Sequence, residues 1–293
     1  MATSASRELQ RRAMYEESHL DRLRQRYPDL DERGLQLKDL LDSPGVSSRE
    51  GLPKLRAWLD AGEDPNAVLV LHGPTTKRSI LSGALEHGRV DSVRLLLARG
   101  ARVKARHFSD AIHGCSPERR ALPIVKLLVS AGADVNKPDG RETCVGSHLM
   151  SAIQMNKYNV AKYLLSQGAD VNYVVPGESF SPDALAVAHH NVQYPRGYAS
   201  HPSDADIEFH HFLRNVVDAG GWKPYVRAPR VSLVVLRRLC EKDRARPPPE
   251  LARLFALDKF IFWRVLAFWR TDRDLPHHIT TSEREPPMNE YFD

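Results

Sequence analysis

Three groups of residues in this chain have the types that chemistry requires: a cysteine close to a histidine and an aspartate, adjacent histidines, and a Gly-Pro-Thr-Thr-Lys run. Asp110, His113 and Cys115 could supply a nucleophile with its base. They read as an irregular insert between helices, with no turn of backbone amides beside them to hold a developing oxyanion. His189-His190, His210-His211 and His277-His278 are adjacent pairs. Neighbours on a helix point apart, whereas chelation from one helix needs a spacing of four. Cys144 and His148 have that spacing, but no four-ligand set gathers around them. Gly73-Pro74-Thr75-Thr76-Lys77 lacks both the first glycine and the Gly-Lys-Ser/Thr ending of a phosphate loop, and Pro74 removes an amide donor. The expectation is no catalytic residue, no metal site and no cofactor.

The elements that would position such residues follow from composition and period. The 293 residues are 42% hydrophobic and 27% charged, enough for a substantial core. The net charge of +5 is mild, and it is concentrated. Lys223–Arg253 holds nine Lys/Arg against three Asp/Glu, and reads as a solvated helix face. Aromatic residues do not interleave with those charges, which argues against nucleic acid. Three widely spaced cysteines and a charged N-terminus without an apolar core point to a reducing compartment, cytoplasmic or nuclear. The most apolar run, Phe260–Trp269, is interrupted by Arg264 and is about half the roughly 20 residues a membrane span needs.

The strongest signal is internal similarity. Gly62, Gly100, Gly132, Gly168 and Gly220 each follow the same arrangement of apolar residues, at seven, four and three positions back. The sets are Leu55/Trp58/Leu59, Val93/Leu96/Leu97, Val125/Leu128/Val129, Ala161/Leu164/Leu165 and Leu213/Val216/Val217. Such spacing gives one face of a helix, and the glycine suits its left-handed end. Turn-forming segments follow, such as Glu63-Asp64-Pro65-Asn66 and Ala133-Asp134-Val135-Asn136. A shorter helix precedes each set, with Ala84, Ala152 and Ala186 expected where two helices approach closely.

These units resemble the ankyrin repeat, a β-turn with two helices, most closely at Val125–Asn136 and Ala161–Asn172. Intervals of 38, 32, 36 and 52 residues between the glycines imply insertions in the first and last. The expected fold is all-α: an ankyrin-repeat solenoid of about five stacked helix-turn-helix units with helical flanks. Residues 1–45 read as a charged helical N-terminal cap and 46–224 as the array. Residues 225–274 read as a helical cap or docking segment, and 275–293 as a mobile tail.

The resemblance implies a non-catalytic module that holds another protein on its concave finger surface, not a nucleic acid, a membrane or a small-molecule substrate. The expected finger positions are Asn66–Leu71, Lys104–His107, Lys137–Arg141 and Asn172–Glu178. Tyr173 and Arg141 are the expected anchors, with Lys104, Lys137 and Asp139 beside them. Trp263 and Trp269 are candidate docking residues of the apolar C-terminal helix. Two alternatives stand beside this reading. Ser232-Leu233, with Leu236, Leu239 and Cys240, resembles the elongin-binding box of ankyrin–SOCS adaptors, and Leu257–Leu266 is similar to the start of an F-box. Either would make the chain a substrate-recruiting ubiquitin-ligase adaptor through residues 230–270. The other alternative is a structural subunit whose caps are buried by neighbours.

Overall fold

Each leucine-rich stretch before a landmark glycine is a helix, and each glycine takes a left-handed backbone. The structure is a computed structural model that describes residues 21–28, 30–42, 51–70, 77–115, 118–137, 146–174, 183–195 and 201–268. Five glycines, Gly62, Gly100, Gly132, Gly168 and Gly220, have φ between 82° and 87°. A Cβ at any of them would meet nothing within 4 Å, so the backbone angle, not crowding, requires glycine there. The closing bonds repeat too. The glycine amide donates to the carbonyl three residues back, as in Gly132 to Val129 at 2.9 Å. The next amide reaches five residues back, as in Ala133 to Leu128 at 3.1 Å.

The helices divide the chain into pairs. They are α1 (Glu32–Asp42) with α2 (Gly51–Asp60), α3 (Ile80–Glu86) with α4 (Val90–Ala98), α5 (Arg106–Gly114) with α6 (Glu118–Ser130), α7 (His148–Gln154) with α8 (Tyr158–Ser166), and α9 (Ala184–Gln193) with α10 (Asp204–Asp218). First helices stack in one row, α1 on α3, α3 on α5, α5 on α7 and α7 on α9. Second helices stack in another, α2 on α4, α4 on α6 and α6 on α8. Leu55, Val93, Leu96, Val125, Leu128, Ala161 and Leu164 are all 0% exposed, so the spaced apolar positions are the seam of that second row. Each such burial contributes roughly 1.5–3 kcal/mol.

Within the segment expected as an N-terminal cap, α1 packs on α3. Two assignments differ from the sequence expectations. The irregular insert expected around Asp110, His113 and Cys115 is helix α5. Its period was hidden because it buries His107, Ser109 and Asp110 alongside Phe108, Ala111 and Ile112. The small residue of α9 is Ala188, at 2% exposure, while Ala186 is exposed. The cap of α9 is Asp183, whose Oδ1 accepts the Ala186 amide at 2.7 Å, and this sets the register two residues later.

The enlarged first interval holds a two-stranded antiparallel hairpin, β1 (Val68–Val70) with β2 (Lys77–Ser79). The enlarged last interval lengthens the helices: α10 has 15 residues, where α4 and α8 have nine.

The chain forms two compact units, residues 1–210 and 211–293. In the second, α11 (Trp222–Glu241), α12 (Ala252–Phe255) and α13 (Lys259–Phe268) are helical. Arg237 holds them together. Its guanidinium lies 4.2 Å from the Phe262 ring centroid and donates to the Leu257 carbonyl at 2.7 Å and to Glu241 at 2.9 Å. Asp258 caps α13 by accepting the Phe260 amide at 2.7 Å. Helix α13 is apolar nearly all round. Phe262 and Leu266 are buried, but Phe260 is 67% and Ile261 49% exposed. Among the described residues no helix is long and apolar enough to cross a membrane.

Leu96→Ala is expected to lower stability by about 2–5 kcal/mol through the cavity it leaves. Gly132→Ala is expected to cost only about 1–2 kcal/mol, from the left-handed backbone alone. Urea unfolding midpoints followed by circular dichroism check the order.

Candidate protein-binding surface

The turns that leave each second helix are held by asparagines. In the first unit, the Asn66 amide binds Asp64 Oδ1 at 2.8 Å. The Asn66 side chain then reaches the next unit, accepting from the Arg102 amide at 2.7 Å and donating to the Gly100 carbonyl at 3.4 Å. Asn136 repeats this two pairs further along, accepting from the Asp170 amide at 2.9 Å and donating to the Gly168 carbonyl at 2.9 Å. In the second unit the corresponding residue is Lys104, and its side chain is free to face solvent.

The other edge of the stack is also tied. Glu118, at the start of α6, accepts the Asn159 amide at 2.6 Å and the Val160 amide at 3.1 Å, capping α8 from the preceding unit. Asp206 accepts hydrogen bonds from the Tyr158 hydroxyl and from Asn156, and Tyr158 stacks on Phe209 at 4.4 Å. Asn191 donates to the Ile153 carbonyl at 2.7 Å. These ties fix the spacing of the turns between them.

The structure brings three of the sequence-predicted site residues onto successive turns: Lys104 and Lys137, both exposed, and Tyr173, half-buried. Arg141, Asp139 and Trp269 lie outside the described residues. Trp263 is half-buried on α13, in the second unit, 6.1 Å from the Phe262 ring. Within the expected finger ranges, Leu69 and His107 are buried, at 3% and 2% exposure, so neither presents itself to a partner. The His107 ring is instead structural, its Nδ1 accepting the Lys104 amide at 3.1 Å. Sequence reasoning passed over Arg102, which lines a cleft of about 130 Å³ together with Lys104 and Arg106 of the expected finger range. The signal was present as a basic residue at every second position from 102 to 106.

Asp110, His113 and Cys115 do not form a nucleophile with its base. Cys115 is 1% exposed, and its Sγ donates to the Leu85 carbonyl at 2.9 Å. Burial pushes the thiol up to about 11, against the opposing pull of Lys157 and Arg120. An activated cysteine needs a lowered value. The Lys157 ammonium donates to the Ile112 and Cys115 carbonyls, closing the end of α5, and burial lowers its pKa. Among the described residues no cluster of three or more His, Cys, Asp or Glu could hold a metal ion.

Stacked helix pairs with left-handed glycine ends and asparagine-bridged turns define a repeat protein built as a solenoid. A family model described as "Ankyrin repeat" matches residues 149–174. The mouse "B-cell lymphoma 3 protein homolog" is 41% identical over 78 residues, covering 26% of this chain and 16% of that protein. The human "Ankyrin repeat and SOCS box protein 6" is 32% identical over 117 residues, covering 36% of this chain and 28% of that protein. The chain therefore spans less than a third of the length of each of these relatives. It is an ankyrin-repeat protein.

Asn136→Ala is expected to destabilise by about 1–2 kcal/mol and to speed hydrogen exchange at the Asp170 amide, since both bridging bonds vanish. At pH 8, Cys115 in the folded protein is expected to alkylate at least about a hundredfold more slowly than in urea, read by site-resolved mass spectrometry. The raised thiol also has a sign for stability. Its contribution is intact below the ordinary thiol value of 9.0 and is lost as pH climbs towards about 11, because only the unfolded thiol ionises in that window.

Proposed function

We propose that the array holds a partner protein on the surface formed by its turns and that it does no chemistry of its own. The observation that carries this reading is the display of Lys104, Lys137 and Tyr173 on successive turns, with the Lys104 turn tied to the one before it by Asn66 and the Tyr173 turn tied to the Lys137 turn by Asn136. A surface fixed before binding loses little freedom on association, so a few anchors suffice. The charged and amphipathic composition of those positions suits a protein partner, which ankyrin repeats bind as a class. The free Cys115 and Cys240 support a reducing location, cytoplasmic or nuclear.

A second reading is supported by a specific observation. One relative carries a SOCS box by name, and α11 exposes Val231 at 54% and Val235 at 50%, one turn apart. On this reading residues 230–270 recruit a ubiquitin-ligase scaffold while the array selects the substrate.

The triple variant Lys104→Glu/Lys137→Glu/Tyr173→Ala is expected to lose at least about tenfold in partner capture, measured by quantitative cross-linking and affinity purification from cells. Its melting temperature should match the parent. Unchanged capture would contradict the turn surface as the binding site. Co-purification of elongin and cullin, abolished by deleting residues 225–274, is the outcome the adaptor reading expects.

A further inference from the structure

The turn surface is not uniform in charge, and one part of it is specific enough to indicate the partner's chemistry. Arg102, Lys104 and Arg106 line one cleft of about 130 Å³, with Pro65, Val68 and Leu81 as its apolar wall. Arg102 and Lys104 are exposed, and among the described residues neither has an acidic partner. Two acids on the flanking segments are already engaged. Asp64 Oδ1 accepts from the Asn66 amide at 2.8 Å, and Glu86 is ion-paired with Arg78. The cations are also held in place. The Arg102 amide is fixed by Asn66 at 2.7 Å, the Lys104 amide by His107 at 3.1 Å, and Arg106 Nη2 donates to Ser82 Oγ at 3.3 Å.

We infer that this cleft binds an extended acidic segment of a partner protein, with carboxylates at alternate positions and one apolar side chain against Pro65, Val68 and Leu81. The spacing carries the assignment. Arg102 and Lys104, two residues apart in the segment before α5, match alternate side chains on one face of an extended chain, and Arg106 opens on the same cleft from the first turn of α5. Arginine forks take carboxylates in paired hydrogen bonds, and the exposed charges of Arg102 and Lys104 in one recess raise the local concentration of an acidic ligand. A nucleic acid fits less well, because the wall is largely aliphatic and the His107 ring that lines the cleft is 2% exposed and held by the Lys104 amide, so it offers no open face for stacking. The inference rests on the partner-holding reading of the turns and names the chemistry of what they hold.

The test uses the full chain and a fluorescein-labelled peptide of sequence Leu-Glu-Thr-Glu-Thr-Glu, followed by anisotropy. The glutamate peptide should bind at least about tenfold tighter than its glutamine counterpart, and the difference should shrink on raising salt from about 0.05 to about 0.5 M. Arg102→Glu/Lys104→Glu should abolish the preference. Arg119→Glu/Arg244→Glu, an equal charge change at exposed sites elsewhere, should preserve it. Both variants must melt with the parent. Equal affinity for the two peptides overturns the assignment, as does equal loss in both variants or tighter binding of a thymidine hexanucleotide. If the peptide arm fails while the triple variant still loses capture, only the acidic specificity falls. If capture is also unchanged, the partner-holding reading falls with it.

Discussion

No helix pair in this array covers its own apolar face; the next pair does. Leu96 and Leu128 have no exposure because the neighbouring second helix lies over them, and the same holds along the first-helix row through Leu81, Phe108 and Leu149. Stability in such a chain is carried by the interfaces between units more than by the units. A unit separated from its neighbours would leave several large side chains in water, at a cost of roughly 1.5–3 kcal/mol each.

The remaining features follow from that constraint. Helices that stack side by side have to stop where the turn begins, and the left-handed glycines enforce the stop. Apolar contact alone is non-directional and would allow adjacent units to slide or rotate. The polar ties at the two edges of the stack remove that freedom, Asn66 and Asn136 along the turns, Glu118 and Asp206 along the opposite side. The second unit has Lys104 in place of the bridging asparagine, exchanging a tie for an exposed cation. Where the array relaxes its internal bonding, it leaves an exposed charge.

Much of this could be read from the sequence because the second helices repeat the same residue types at the same distance from a glycine. The first helices were harder. Helix α5 buries His107, Ser109 and Asp110, so its inward face does not look apolar, and it read as an irregular insert. Helix α1 is sparse in hydrophobic residues, so its period is weak in the sequence. At α9 the cap is Asp183, which places the buried small residue at Ala188 and not at the expected Ala186. On the surface, Lys104 and Lys137 could be placed from the turn register alone. Arg102 and Arg106 could not be weighed, because their significance lies in sharing a cleft with Pro65, Val68 and Leu81, residues up to 41 positions away.

Function rests on the same coupling, since turns can present a fixed surface only if each unit is locked to the next. The most direct test is amide hydrogen exchange on the full chain with Leu128→Ala, a cavity in the second helix of the third unit. Loss of protection should extend beyond residues 118–130 into α4 and α8, the helices that stack on it. Protection lost only within residues 118–130, with both neighbours unchanged, would contradict an array held together by its interfaces.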